Sequence, residues 1–155
     1  MKIMFVCHGN ICRSPMAEFV FKKMLDEAGV KGITVSSSAT SSEEIWNGIG
    51  NPVYPPAKAE MKKHGIDCTG KRAVQLKRED YGKYDLFIGM DGANIRNMHR
   101  IFGSDPENKV KKLLNYVGED SDVADPWYTG EFDKTYYDIE RGLRALLKEI
   151  DGGKK

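Results

Sequence analysis

Short apolar runs alternate with amphipathic stretches along almost the whole chain, and that alternation restricts the fold more than any other feature. Lys2 to Val6 form a nearly continuous apolar run, the pattern of a strand buried on both faces. A helix pattern follows: Ser14 suits an N-cap, Pro15 the first helical position, and Gly29 a C-terminal cap. Between them Met16, Phe19, Val20, Met24 and Ala28 recur at steps that build one apolar face. Ile33 to Val35 reads as a second strand, Pro55 to His64 closed by Gly65 as a second helix, and Tyr84 to Met90 as a third strand. Asp91 then caps a helix carrying Ile95, Met98 and Phe102. Val110 to Tyr116 reads as a fourth strand, interrupted by Lys111 and Lys112. Tyr136, Ile139, Leu143, Leu146 and Ile150 mark a long final helix whose stripe is core packing.

Strands alternating with helices predict one α/β domain over residues 1–155, a parallel sheet with helices on both faces. Ser36 to Asn51, rich in Ser, Gly and Asn, reads as a long loop, and the last few residues as a disordered tail. In such sheets ligands bind at the carboxyl ends of strands, where the strand order reverses. The loop after the first strand is therefore the place to look for chemistry.

Composition removes several classes of function. The chain has 155 residues, 40% hydrophobic and 30% charged, and no apolar stretch of about 18 residues, which predicts a soluble protein without a membrane partner. Its 24 Lys and Arg against 23 Asp and Glu give no overall field toward nucleic acid, so an anion must be recognised locally. The apolar run Ile3 to Val6 is far shorter than the roughly 7–15 residues of a signal-peptide core, and a cytoplasmic location is expected. Cys7, Cys12 and Cys68 make an odd set, against a disulfide scaffold. Together with His8, His64 and His99 they offer no metal-ligand spacing, so neither metal nor other cofactor is expected.

The loop reads Cys7-His8-Gly9-Asn10-Ile11-Cys12-Arg13-Ser14-Pro15 and runs directly into a helix N-terminus. Backbone N–H groups from His8 to Arg13 can line a concavity, the helix dipole adds positive potential, and Arg13 offers a planar fork for two oxygens of a tetrahedral dianion. Gly9 and Asn10 tolerate the left-handed backbone that such wrapping requires. The same field favours the thiolate of Cys7, a nucleophile placed beneath a bound phosphoryl group. Ser14 is positioned to hydrogen-bond that sulfur. A departing alkoxide or phenolate needs a proton, and Asp125 in Asp125-Pro126-Trp127-Tyr128 is the candidate acid. Pro126 holds it in extended backbone. Trp127 and Tyr128 present flat apolar surfaces suited to an aromatic leaving group, which favours phosphotyrosine over phosphoserine.

These residues resemble the low-molecular-weight protein tyrosine phosphatases over nearly the whole chain. The loop stands at the extreme N-terminus, and Asp125-Pro126 with two aromatics about 30 residues before the end. The resemblance implies a four-stranded parallel, doubly wound sheet and metal-independent hydrolysis through a phosphocysteine. It carries over Cys7 as nucleophile, Arg13 as phosphate clamp, Asp125 as general acid and base, and Asn10, Ser14 and Ser37 as supports of the loop. It also implies that Cys12 can form a disulfide with the nucleophile and guard it from irreversible oxidation. Trp46 falls near the family's pocket-wall aromatic, and Ser36-Ser37-Ser38-Ala39-Thr40 departs from the family's usual Asp-Ser-Ala-Gly-Thr. Expected partners are phosphotyrosine proteins or small aryl phosphates, with inorganic phosphate as product and a monomer or weak dimer as the assembly. Cys68 reads as a bystander. The alternatives are a thiol-dependent arsenate reductase of the same fold, which would need relay cysteines that residues 70–100 lack, a non-catalytic phosphate-binding module, which would not need Asp125, and a redox protein using Cys7 and Cys12, which would leave Arg13 and Asp125 without a role.

Overall fold

The structure is a computed structural model that describes residues 1–152; the expected tail lies outside the described residues. In chain order it runs β1 (Lys2–Cys7), α1 (Arg13–Glu27), β2 (Thr34–Ala39), β3 (Ile45–Trp46), β4 (Ile49–Gly50), α2 (Pro55–Lys63), a 3-10 turn (Arg78–Gly82), β5 (Leu86–Gly89), α3 (Gly92–Phe102), β6 (Val110–Lys112), a second 3-10 turn (Leu113–Val117), α4 (Pro126–Thr129) and α5 (Phe132–Gly152). Four strands form one parallel sheet in the order β2-β1-β5-β6. The chain steps from β1 to one side and later returns to pair on the other, so the reversal of strand order lies at the carboxyl end of β1.

Strand alternation explains the unbroken apolar run at the N-terminus. Ile3, Phe5 and Cys7 point to the core beneath α1, α2 and α5, whereas Met4 and Val6 join Phe87, Met98 and Phe102 on the α3 side. Phe5 meets Phe21 of α1 edge-on at 5.9 Å. Each such fully buried side chain contributes about 1.5–3 kcal/mol.

Four local expectations change. β2 continues through Ser36 to Ala39, which the polar composition marked as loop, because full parallel pairing from Lys2↔Thr34 to Cys7↔Ala39 outweighs side-chain polarity. The rest of that segment holds the β3–β4 hairpin, turned at Asn47 and Gly48, both with positive φ. α1 begins at Arg13 with Cys12 at the N-cap, and Ser14 lies inside the helix because its hydroxyl is engaged elsewhere. Phe21 and Leu25 complete its buried face, and Ala28 is exposed. The fourth strand stops at Lys112: Leu113 and Leu114 both pack into the core on the α5 side, whereas strand alternation would send them to opposite faces, and the chain winds into a 3-10 turn. Leu113 packs against Gly142 of α5, where a Cβ would lie 2.6 Å from Leu113 Cγ.

Candidate active site

Cys7 ends β1 and is buried, with its sulfur facing the start of α1. Three donors converge on Sγ: the Ser14 hydroxyl at 3.0 Å, the Asn10 N–H at 3.3 Å and the Ser14 N–H at 3.4 Å. Asn10 reaches this position through a left-handed backbone (φ 58°), as expected, whereas Gly9 does not adopt a positive φ; its missing side chain instead leaves room for Glu44, whose Cγ lies 3.2 Å from where a Cβ would stand.

The direction of these hydrogen bonds follows from counting protons. The N–H of Val74 donates to Asn10 Oδ1 at 2.9 Å, which fixes the amide and turns Nδ2 toward two serines. Nδ2 donates to Ser14 Oγ at 2.7 Å and to Ser37 Oγ at 2.9 Å. Ser14 is thereby an acceptor toward Asn10, and its one hydroxyl proton is left for Cys7, the competing Ser38 carbonyl being at 3.5 Å. Ser37 in turn donates to Glu18 Oε1 at 2.6 Å. The structure thus brings Asn10, Ser14 and Ser37 into one network with the sulfur.

Arg13 opens α1 and is only 2% exposed. Its Nη1 donates to Asp91 Oδ2 at 2.7 Å and to the Val123 carbonyl at 2.8 Å, and Nη2 lies 3.6 Å from Asp125 Oδ2. Burial opposes the guanidinium charge, but Cys7, Asp91 and Asp125 more than offset it and hold the arginine above its ordinary pKa. Val123 is placed by donating its N–H to the Met90 carbonyl just beyond β5, which ties the approach to α4 to the sheet. Asp125 has the extended backbone expected before proline and N-caps α4, its Oδ1 accepting from the Trp127 N–H at 3.0 Å.

These groups surround a pocket of about 140 Å³. Cys7, Gly9, Ile11, Cys12 and Arg13 of the loop line it from below. Asp125, Trp127, Tyr128, Glu43 and Glu44 complete the lining. Tyr54 backs the aromatic wall, 4.8 Å from the Trp127 ring, and its N–H donates to the Ile11 carbonyl. Trp46 is not among the lining residues: Ile45 turns inward against the core, so strand alternation sends Trp46 outward, 79% exposed. His8 sits at the rim with Nε2 3.1 Å from Glu43 Oε2. Cys12 is buried and its thiol is pushed up to about 12, first by burial and then by Cys7. Cys7, Cys12 and Cys68 are all free thiols, and Cys68 lies away from the pocket.

Asp91, Glu43, Glu44, Tyr54, Glu18 and Lys71 are the site residues that sequence reasoning missed. Asp91 was legible only as a helix cap, a role it does fill by accepting from the Asn94 N–H at 2.8 Å. Glu18 sits within the α1 pattern at a position that looks solvent-facing until Ser37 and Lys71 are seen beside it.

The model of the low molecular weight phosphotyrosine protein phosphatase family matches residues 2–155. The low molecular weight protein-tyrosine-phosphatase YfkJ of Bacillus subtilis is 37% identical over 158 residues, which span 100% of this chain and 99% of that protein. Its crystal structure superposes with a TM-score of 0.91 at 36% identity, covering 100% of this chain and 97% of that one. The low molecular weight phosphotyrosine protein phosphatase of the pig, Sus scrofa, is 34% identical over 154 residues, 96% of this chain and 94% of its own. A structure of the YwlE arginine phosphatase, a cysteine-to-serine mutant with a phosphorylated active site serine, superposes with a TM-score of 0.84 at 30% identity, covering 97% of this chain and 96% of that one. The chain belongs to the low molecular weight phosphotyrosine protein phosphatase family and is a cysteine-dependent hydrolase of the protein-tyrosine-phosphatase class.

Proposed function

We propose that the enzyme hydrolyses phosphotyrosine and small aryl phosphate monoesters through a phosphocysteine on Cys7. The observation that carries this reading is the convergence of three donors on Cys7 Sγ at the floor of a pocket flanked by Asp125. Arg13 Nη1 uses both protons on Asp91 and Val123, which leaves the Nε and Nη2 edge for two phosphoryl oxygens. In the first step Sγ bonds to phosphorus as the phosphorus–oxygen bond to the leaving group breaks, and Asp125 gives its proton to the departing oxygen. In the second, Asp125 takes a proton from water as that water attacks phosphorus and the phosphorus–sulfur bond breaks, releasing inorganic phosphate and restoring the thiolate. The YwlE mutant with its phosphorylated active site serine supports covalent transfer to the residue at the nucleophile's position. Cys12, next to that nucleophile in the same loop, serves as its reversible disulfide partner under oxidation.

Turnover of p-nitrophenyl phosphate in metal-free buffer tests the assignment. Cys7→Ser abolishes it, and Asp125→Ala lowers it on the order of 10²- to 10⁴-fold, least for leaving groups that depart without a proton. Undiminished turnover by Cys7→Ser defeats the mechanism.

Phosphoarginine is a second reading, favoured by Glu43 and Glu44 in the pocket lining, where carboxylates suit a guanidinium, and by the YwlE arginine phosphatase. Phosphotyrosine is preferred because Ile11, Trp127 and Tyr128 line the pocket with apolar surface, and both glutamates already have partners in His8 and Asn51. Initial rates on matched phosphotyrosine and phosphoarginine peptides distinguish the two readings. Faster release from the arginine peptide would reverse the preference.

A further inference from the structure

Beneath the phosphate loop lies a pair of opposite charges that the hydrolytic cycle above does not use. Glu18 of α1 is 5% exposed. Its Oε1 accepts from Ser37 Oγ at 2.6 Å and lies 3.7 Å from Lys71 Nζ; its Oε2 accepts from Lys22 at 2.5 Å. Lys71 donates to the Ser37 carbonyl at 3.1 Å, with a side chain only 11% exposed, whereas Lys22 is 45% exposed and its charge is shared with solvent. An unbroken series of hydrogen bonds therefore runs from Glu18 through Ser37, Asn10 and Ser14 to the sulfur of Cys7.

A carboxylate is an acceptor only, so it obliges Ser37 to donate outward and to accept from Asn10. Asn10, turned by Val74, gives its other amide proton to Ser14, which leaves the Ser14 proton for the sulfur. The cost is a buried negative charge below a loop that must hold a thiolate and bind a dianion. We infer that Glu18 and Lys71 act together as positioning residues for the nucleophile: Glu18 holds Ser37 as the acceptor of one Asn10 amide proton and so locks the amide that Val74 orients, and Lys71 cancels Glu18's charge so that the relay does not repel the thiolate. Burial lowers the pKa of Lys71, while Glu18 and Cys7 oppose that fall and Lys22 adds to it. The other charged groups around the nucleophile are Arg13, Asp91 and Asp125 on the substrate side and His8, Glu43 and Glu44 at the rim.

This inference rests on the thiolate mechanism, yet its test does not require turnover. The rate at which iodoacetamide alkylates Cys7, identified by protection with inorganic phosphate, is measured against pH for wild type, Lys71→Met, Lys71→Arg, Glu18→Gln and the double variant Glu18→Gln/Lys71→Met. Lys71→Met leaves Glu18 opposed only by the half-exposed Lys22, so alkylation at the acid end slows roughly three- to tenfold while the alkaline plateau is kept. Glu18→Gln removes the negative charge and speeds it. The double variant returns near wild type, and Lys71→Arg restores the charge and the rate. Should Lys71→Met fail to fold, the opposite shift in Glu18→Gln and its reversal in the double variant carry the test. A pair that is merely structural changes stability without displacing the alkylation profile. Unchanged profiles, or shifts of the same sign in Lys71→Met and Glu18→Gln, overturn the inference. Loss of the phosphocysteine reading would show separately, as turnover surviving Cys7→Ser.

Discussion

Arg13 and Asp91 meet across the carboxyl edge of the sheet, Nη1 to Oδ2 at 2.7 Å, and Asp91 at the same time caps α3. One carboxylate thus fixes both the helix start and the guanidinium plane. Asp91→Asn keeps the cap through its one amide oxygen but turns an NH2 toward the Arg13 guanidinium, so it is expected to lower kcat/KM while holding the stability of the cap. Asp91→Ala frees the guanidinium and removes the cap, which lowers kcat/KM about 10- to 100-fold and stability by about 1 kcal/mol. Steady-state rates on an aryl phosphate with parallel thermal melts check both.

Ser37 and Ser38 are adjacent, buried and opposite in consequence. Ser37→Ala leaves an Asn10 N–H and a Glu18 oxygen without their partner and destabilises the protein by about 1–3 kcal/mol. Ser38 Oγ has no hydrogen-bond partner among the described residues, so Ser38→Ala removes an unsatisfied hydroxyl and is neutral or stabilising within about 1 kcal/mol. Urea unfolding of the two variants gives the comparison directly.

Much of this arrangement was legible in the chain before its structure, for a physical reason. Cys7, Arg13 and Ser14 are close in sequence and joined by a loop into a helix, so their spacing alone confines them to one anion-binding turn. Asp125 could be placed in extended backbone because Pro126 restricts it locally. Asp91, Glu18 and Lys71 were not legible as site residues, since their partners lie 78, 19 and 34 or more positions away and depend on strand order. Ser36 to Ser38 looked like loop because polarity hides a strand whose backbone is paired on β1. Leu113 to Tyr116 looked like strand because a mostly apolar segment of that length is too short for its period to tell strand from turn.

Gly142 packs α5 against the turn that follows β6. Alanine there gains up to about 1 kcal/mol of helix propensity but places a methyl group 2.6 Å from Leu113 Cγ, and overpacking of this kind costs about 1–3 kcal/mol. The contact outweighs the propensity, so Gly142→Ala melts at a lower temperature than wild type. A higher melting temperature would mean that Leu113 moves freely.

Cys12 supplies a pH dependence. Its thiol is held up to about 12, chiefly by burial, against 9.0 when unperturbed. The raised value means that the folded state keeps a proton which the unfolded chain loses. The stability linked to it is complete below pH 9 and is lost as pH rises toward about 12. Cys12→Ala lacks this loss, and its denaturation midpoint declines less steeply than wild type between those limits. Tyr116 and Tyr136, also pushed up to about 12 by burial, contribute equally to both proteins and cancel in the comparison.

Passage of phosphate through the sulfur of Cys7 is the proposed step on which every other role at the site depends. Acid quenching during p-nitrophenyl phosphate turnover, followed by peptide mass spectrometry, tests it most directly. A phosphoryl group is expected on the peptide containing Cys7, more abundant in Asp125→Ala with an activated leaving group because the second step there lacks its base. Steady turnover with no phosphoryl adduct on that peptide in either protein would contradict it.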